Sequence, residues 1–241
     1  MKNEQAYAHT EKYMYFAFQM DNLHTFLQLM FFSLIALFPV VNPVGTAFIV
    51  SPYFSGLSDK EKKVAVKKIT LNAFCICAVT VFVGHWVLEI FGLSIPIIQL
   101  AGGIMICKMG WDSLSDDKEP DHPSAISTTS PFENLKGKLF YPITFPITTG
   151  AGTISVLFTL SAHSAKAGIH NYFINTGAVL LAVVCICILI YILYLNTKRF
   201  IQFFGSKGEK IINRIFSFLI FCVGLQIAVS GIKTLMAGPT V

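Results

Sequence analysis

Asn42, Pro43, Gly45 and Thr46 lie inside an apolar run, in the stretch L-F-P-V-V-N-P-V-G-T-A-F-I-V from Leu37 to Val50. Pro39 and Pro43 each lack a backbone N–H and each push aside the carbonyl one turn earlier, while Gly45 lets the chain leave helical geometry at little steric cost. A helix with these residues is expected to break. In lipid, the freed backbone groups persist only where they face protein, a water-filled cavity or a ligand, so the break marks a candidate site. The second stretch of this kind is F-Y-P-I-T-F-P-I-T-T-G-A-G-T-I from Phe140, where Pro142 and Pro146 repeat the spacing and Gly150, Ala151, Gly152 and Thr153 follow.

Paired breaks have a defined chemistry. The N-termini of half-helices hold a carboxylate, and freed carbonyls hold an ammonium group. Asn42, Thr46, Thr148, Thr149 and Thr153 add neutral donors and acceptors beside them. The expected substrate-binding set is Asn42, Pro43, Gly45, Thr46, Thr149, Gly150, Gly152 and Thr153, and it suits a small zwitterion. Proline and glycine are also commoner in transmembrane helices in general, so one such stretch alone would say little; the repeated pair says more.

Other residues carry less. His85 and Glu89 stand i,i+4 on one helix face and form a candidate proton relay near the outer end of their run. Lys108, close to Asp112, and Lys233, a candidate partner for Glu89, read as cations whose stems reach the headgroups. Ser155, Ser161 and Ser164 either line an exit path or bond their own helix. Gly102, Gly103 and Gly110, like Gly224 and Gly231, read as close helix packing. There is no HExxH, no GxSxG, no phosphate-binding glycine loop and no pair of intramembrane aspartates, so no enzymatic reaction is expected. The six cysteines fall inside apolar runs without metal-ligand spacing, and neither a metal nor another cofactor is expected.

The elements that must position these residues follow from composition. Of 241 residues, 54% are hydrophobic and 13% charged, and the mean hydropathy is +0.64; soluble domains carry about 25% charged residues. Six apolar runs, roughly Leu23–Pro52, Ile69–Phe91, Ile95–Leu114, Leu139–Ala162, Tyr172–Asn196 and Ile211–Met236, are each near the ~20 residues a spanning helix needs. An all-α membrane protein with six transmembrane helices is expected. The net charge of +5 does not point to nucleic acid, because the basic residues lie between the runs. Thirteen fall in alternate connections (Lys60, Lys62, Lys63, Lys67, Lys68; Lys118, Lys136, Lys138; Lys198, Arg199, Lys207, Lys210, Arg214), against Lys2, Lys12 and Lys166 on the other side. By the positive-inside rule both termini are outside. No cleavable signal peptide is evident in the polar tail, residues 1–22.

Residues 115–138, rich in Asp, Pro, Ser and Thr, read as a cytoplasmic linker between residues 23–114 and 139–241. The halves echo each other. Besides the proline pairs, G-I-M-I-C-K-M-G-W-D-S-L from Gly103 resembles G-L-Q-I-A-V-S-G-I-K-T-L from Gly224. Three helices per half is an odd number, so the halves insert upside down: two inverted three-helix repeats with broken first and fourth helices. In the fourth run, the prolines come close behind Lys138. Either that helix starts deep, or part of the linker dips back toward the membrane.

Three stretches, L-F-P-V-V-N-P-V-G, I-Q-L-A-G-G-I-M-I-C-K-M-G-W-D-S-L and F-Y-P-I-T-F-P-I-T-T-G-A-G-T-I, together resemble the signatures of the MarC family of six-helix integral membrane proteins. The resemblance runs from about Leu23 onward. It implies an inner-membrane protein, some of whose relatives transport small neutral amino acids such as glycine and alanine. The chain departs from the family pattern at Gly150-Ala151-Gly152, where Gly-Pro-Gly is common, at Lys108, usually apolar, and at Thr46, often an amide. The expected function is secondary transport of a small neutral amino acid by alternating access, with proton or sodium coupling unassigned and the lipid bilayer as its partner. Two alternatives stay open: an exporter of hydrophobic or drug-like solutes, with an aromatic-lined cavity, and a non-transporting scaffold, with a dry, filled interior.

Overall fold

The computed structural model describes residues 23–115, 131–165 and 169–237, all in helices, turns and short connections, with no strand among them. The polar tail and most of the linker lie outside the described residues. Helix α1 covers residues 23–41, α2 is Pro43–Val50, and a 3-10 turn, Ser51–Phe54, leads to α3, Asp59–Ile90. Then come α4 (Ile95–Ser115), the short α5 (Pro131–Lys136), a π-type segment (Leu139–Thr148), α6 (Ala151–Ala165), α7 (Ile169–Leu195) and α8 (Thr197–Met236).

Local sequence sets the ends of α3. Ser58 and Glu61 form a capping box, Ser58 N–H donating to Glu61 Oε2 at 2.9 Å and Glu61 N–H to Ser58 Oγ at 3.4 Å. At the other end Gly92 has φ 62°, and the Leu93 and Gly92 amides donate back to the Leu88 and Glu89 carbonyls; this left-handed cap favours glycine. The 32 residues between extend about 48 Å at 1.5 Å each, well beyond the ~30 Å hydrocarbon core. The lysine-bearing first turns can therefore stand outside the apolar layer. One of them, Lys62, is buried and donates to the Leu195 carbonyl at 2.9 Å and to Thr197 Oγ1 at 2.8 Å, which ties the start of α3 to the α7–α8 junction.

Among the described residues four helices have the length and apolar content to cross a membrane, and five do if the π-type segment and α6, bent by 63°, count as one. α4 falls short of that measure. It is 21 residues long but carries Gln99, Lys108 and Asp112. The surface is studded with large apolar side chains, among them Phe31, Phe32, Ile35, Trp86, Ile90 and Phe173. An apolar exterior of this extent is not what a water-soluble monomer presents.

α3 packs against α6, α7 and the π-type segment, α2 against α7, and α4 chiefly against α8. Glycines permit that last approach. A Cβ on Gly110 would stand 2.6 Å from the Phe221 amide nitrogen and 2.9 Å from the Ser217 carbonyl oxygen; one on Gly231 would stand 2.8 Å from the Leu100 nitrogen and 2.7 Å from the Pro96 oxygen. Each partner is displaced by the same 121 positions as the glycines themselves. Gly103 meets the backbone of Gly224 and Ala228, and Gly224 meets that of Gly103 and Cys107, at the same offset. The expectation that these glycines serve close packing holds.

Three local expectations are corrected. Pro39 stays within α1, so the first break occupies the single residue Asn42. Gly45 is helical; its missing side chain makes room for that of Asn42, which a Cβ there would strike. Lys233 forms no ion pair with Glu89 among the described residues, where Glu89 Oε1 lies 3.2 Å from His85 Nε2. Within residues 115–138, Pro131–Lys136 is helical and buries Leu135.

Candidate functional site

The first break is built by Asn42. Its backbone is left-handed (φ 45°, ψ 60°), which asparagine tolerates better than most residues, and its Oδ1 accepts from the Gly45 amide at 3.0 Å to cap α2. Thr46 Oγ1 donates to the Asn42 carbonyl at 3.0 Å, with the Pro43 carbonyl at 3.3 Å. The side-chain oxygens at this break therefore satisfy backbone groups that the interruption exposes.

The second break is a tandem unit. L-F-Y-P-I-T (139–144) and I-T-F-P-I-T (143–148) overlap by two residues, and each holds an extended aromatic residue, Tyr141 or Phe145, before a cis proline. Each also ends in a threonine whose hydroxyl donates five residues back: Thr144 Oγ1 to Leu139 and Thr148 Oγ1 to Ile143, both at 2.7 Å. The Ile143 and Thr149 amides likewise bond five residues back, to Lys138 and Thr144. Threonine hydroxyls thus bond carbonyls within a stretch in which two proline nitrogens offer no donor.

Both breaks reach Tyr194 on α7. Its hydroxyl lies 2.9 Å from Thr148 Oγ1 and also interacts with Thr46. Beside it the α1, α3, α6 and α7 helices enclose a small cavity lined by Leu37, Val41, Ala73, Cys77, Thr149, Thr153, Val183, Ile186, Cys187 and Ile190. It leaves about 10 Å³ for the centre of a water molecule, roughly one water's worth. The Thr153 hydroxyl, on a side chain only 1% exposed, has no partner.

All eight predicted substrate-binding residues, Asn42, Pro43, Gly45, Thr46, Thr149, Gly150, Gly152 and Thr153, are buried. Thr149 and Thr153 line the cavity; Thr46 meets the second break through Tyr194; Gly152 lets α6 approach Val40 of α1 and Ile106 of α4, either of which a Cβ would crowd. His85 and Glu89 pair as their spacing predicts but stand apart from this cluster, half-exposed. Lys108 pairs with Asp112 at 3.2 Å on the surface. Ser161 donates to the Val81 carbonyl at 2.7 Å and Ser155 to that of Ile98 at 3.4 Å, so both bridge helices, while Ser164 bonds its own. Sequence reading did not single out Thr144, Tyr194, Cys77 or Cys187. The repeated aromatic-Pro-Ile-Thr unit was a legible signal for Thr144; the other three carry no local signal.

A family model described as MarC family integral membrane protein matches residues 27–236. The chain belongs to the MarC family. Curated relatives include the UPF0056 inner membrane protein MarC of Escherichia coli O1:K1 / APEC, 25% identical over 203 residues that cover 83% of this chain and 92% of the relative. The protein of the same name in Escherichia coli strain K12 is 24% identical with the same coverage. No solved structure matches. MarC-family membership agrees with the apolar exterior; the chain is a multi-pass integral membrane protein, and its curated relatives are named inner membrane proteins.

Proposed function

We propose that this MarC protein is a secondary transporter of small neutral amino acids of the glycine and alanine class, working by alternating access at the two helix breaks. The observation that supports this reading is the convergence of both breaks on buried hydroxyls and on one cavity that Thr153 faces without a partner. The cavity has room for about one water, so on this reading it must widen to admit glycine. Opening requires movement at Asn42 and at the 63° bend before α6. The aliphatic wall, with no aromatic residue, favours a small solute over a drug-like one.

Six spans complete the proposal: α1 with α2, α3, α4, the π-type segment with α6, α7 and α8. The constant offset of 121 positions in the α4–α8 contacts supports two inverted repeats. The basic connections lie in the cytoplasm and both termini outside. Coupling is to protons or sodium, with His85 and Glu89 as the proton candidates.

The small cavity also favours a second reading, a scaffold that carries nothing. Uptake of radiolabelled glycine and alanine into proteoliposomes, with and without proton and sodium gradients, separates the two. Wild type is expected to take up at least one of them under a gradient, and Thr153→Val to lose about tenfold or more while melting within a few degrees of wild type, because it removes an unpaired hydroxyl at nearly constant volume. Folded protein that moves neither amino acid under any gradient would shift the conclusion to the scaffold.

A further inference from the structure

Three hydroxyls meet where the breaks touch α7, and their protons can be counted. Thr46 Oγ1 donates to the Asn42 carbonyl and Thr148 Oγ1 to the Ile143 carbonyl. A threonine hydroxyl has one proton, so each offers Tyr194 only lone pairs. The 2.9 Å bond between Tyr194 and Thr148 is therefore donated by the phenol, and Thr46 stands beside the same hydroxyl. That buried proton ties α7 to the π-type segment, with α2 packed alongside.

The ring that carries it is held firmly. Tyr194 has no exposed surface, and Phe54 packs against it edge-on with centroids 6.2 Å apart. Lys62 Nζ lies 5.6 Å from the Phe54 centroid while it bonds the Leu195 carbonyl, one residue beyond Tyr194. Moving the π-type segment away from α7 thus costs the phenol its acceptor. α2 continues from α1, which brings Leu37 and Val41 to the cavity, and the π-type segment runs into Thr149 and Thr153.

We infer that Tyr194 is a positioning residue that pins the second break to α7, beside the first break, and that its release is a step in opening the threonine-lined cavity. This rests on the transport reading, but its test does not use transport. Cys77 and Cys187 line the cavity and are buried, whereas Cys75 and Cys222 are exposed. Alkylation of all four by N-ethylmaleimide, in membranes and read residue by residue by mass spectrometry, reports how often the cavity opens.

Tyr194→Phe keeps the ring and removes the hydroxyl. It is expected to speed alkylation of Cys77 and Cys187 on the order of 3- to 10-fold, the size of one net buried hydrogen bond, with Cys75 and Cys222 unchanged. Thr148→Ser, which keeps an acceptor, should retain wild-type rates. Unchanged rates at Cys77 and Cys187 in a folded Tyr194→Phe protein would overturn the inference. An equal rise at all four cysteines would do so too, since it would mean general loosening. If the rates respond as expected while glycine and alanine uptake is absent, the pin stands and the substrate assignment falls.

Discussion

At the scale of single residues, threonine hydroxyls at the breaks donate to backbone carbonyls and the Asn42 amide oxygen accepts from a backbone N–H, doing the work that main-chain partners do elsewhere in a helix. Asn42 combines a left-handed backbone with a cap on α2. Alanine there loses the cap and accepts positive φ poorly, whereas glycine loses only the cap; Asn42→Ala is expected to cost about 1–2 kcal/mol and Asn42→Gly a few tenths, read as melting temperatures in detergent. Thr148 and Thr153 should part in the same assay. Thr148→Val deprives the Ile143 carbonyl and Tyr194 of partners and is expected to destabilise by about 1–3 kcal/mol, while Thr153→Val is neutral or stabilising.

At the scale of elements, the helices touch through small residues because lipid offers no hydrophobic drive for association and close van der Waals approach must supply it. The α4–α8 pair depends on this most. Gly110→Ala would put a methyl 2.6 Å from the Phe221 backbone, which cannot yield without parting the helices, and a loss of about 1–3 kcal/mol is expected. Gly177→Ala on α7 is the contrast, since its Cβ would meet only Phe26 Cε2 at 3.7 Å; there the gain in helix propensity should leave stability unchanged or up to about 1 kcal/mol higher. Thermal melting of the two variants side by side checks both.

For the whole molecule, the charge pattern and the repeat make one joint prediction. If the basic connections are cytoplasmic, a C-terminal alkaline phosphatase fusion is active and a C-terminal green fluorescent protein fusion is dark; the reverse pattern would invert the proposed topology. The prediction has content because, in the proposed arrangement of three spans per repeat, the two halves would insert in opposite orientations.

Composition and run lengths alone determined a helical membrane protein, because lipid demands apolar stretches of fixed length. The proline-bearing stretches marked the neighbourhood of both breaks, since a proline nitrogen removes a helix donor. Local sequence could not say that Pro39 would be absorbed into α1 while Asn42 took the break, as that depends on which carbonyls find donors. Nor could it show that Tyr194, in an unbroken apolar run, would bring its hydroxyl to Thr46 and Thr148, or that Cys77 and Cys187 would share a cavity with Thr153. These residues lie far apart along the chain, and only the packing of α3 and α7 against the broken segments brings them together.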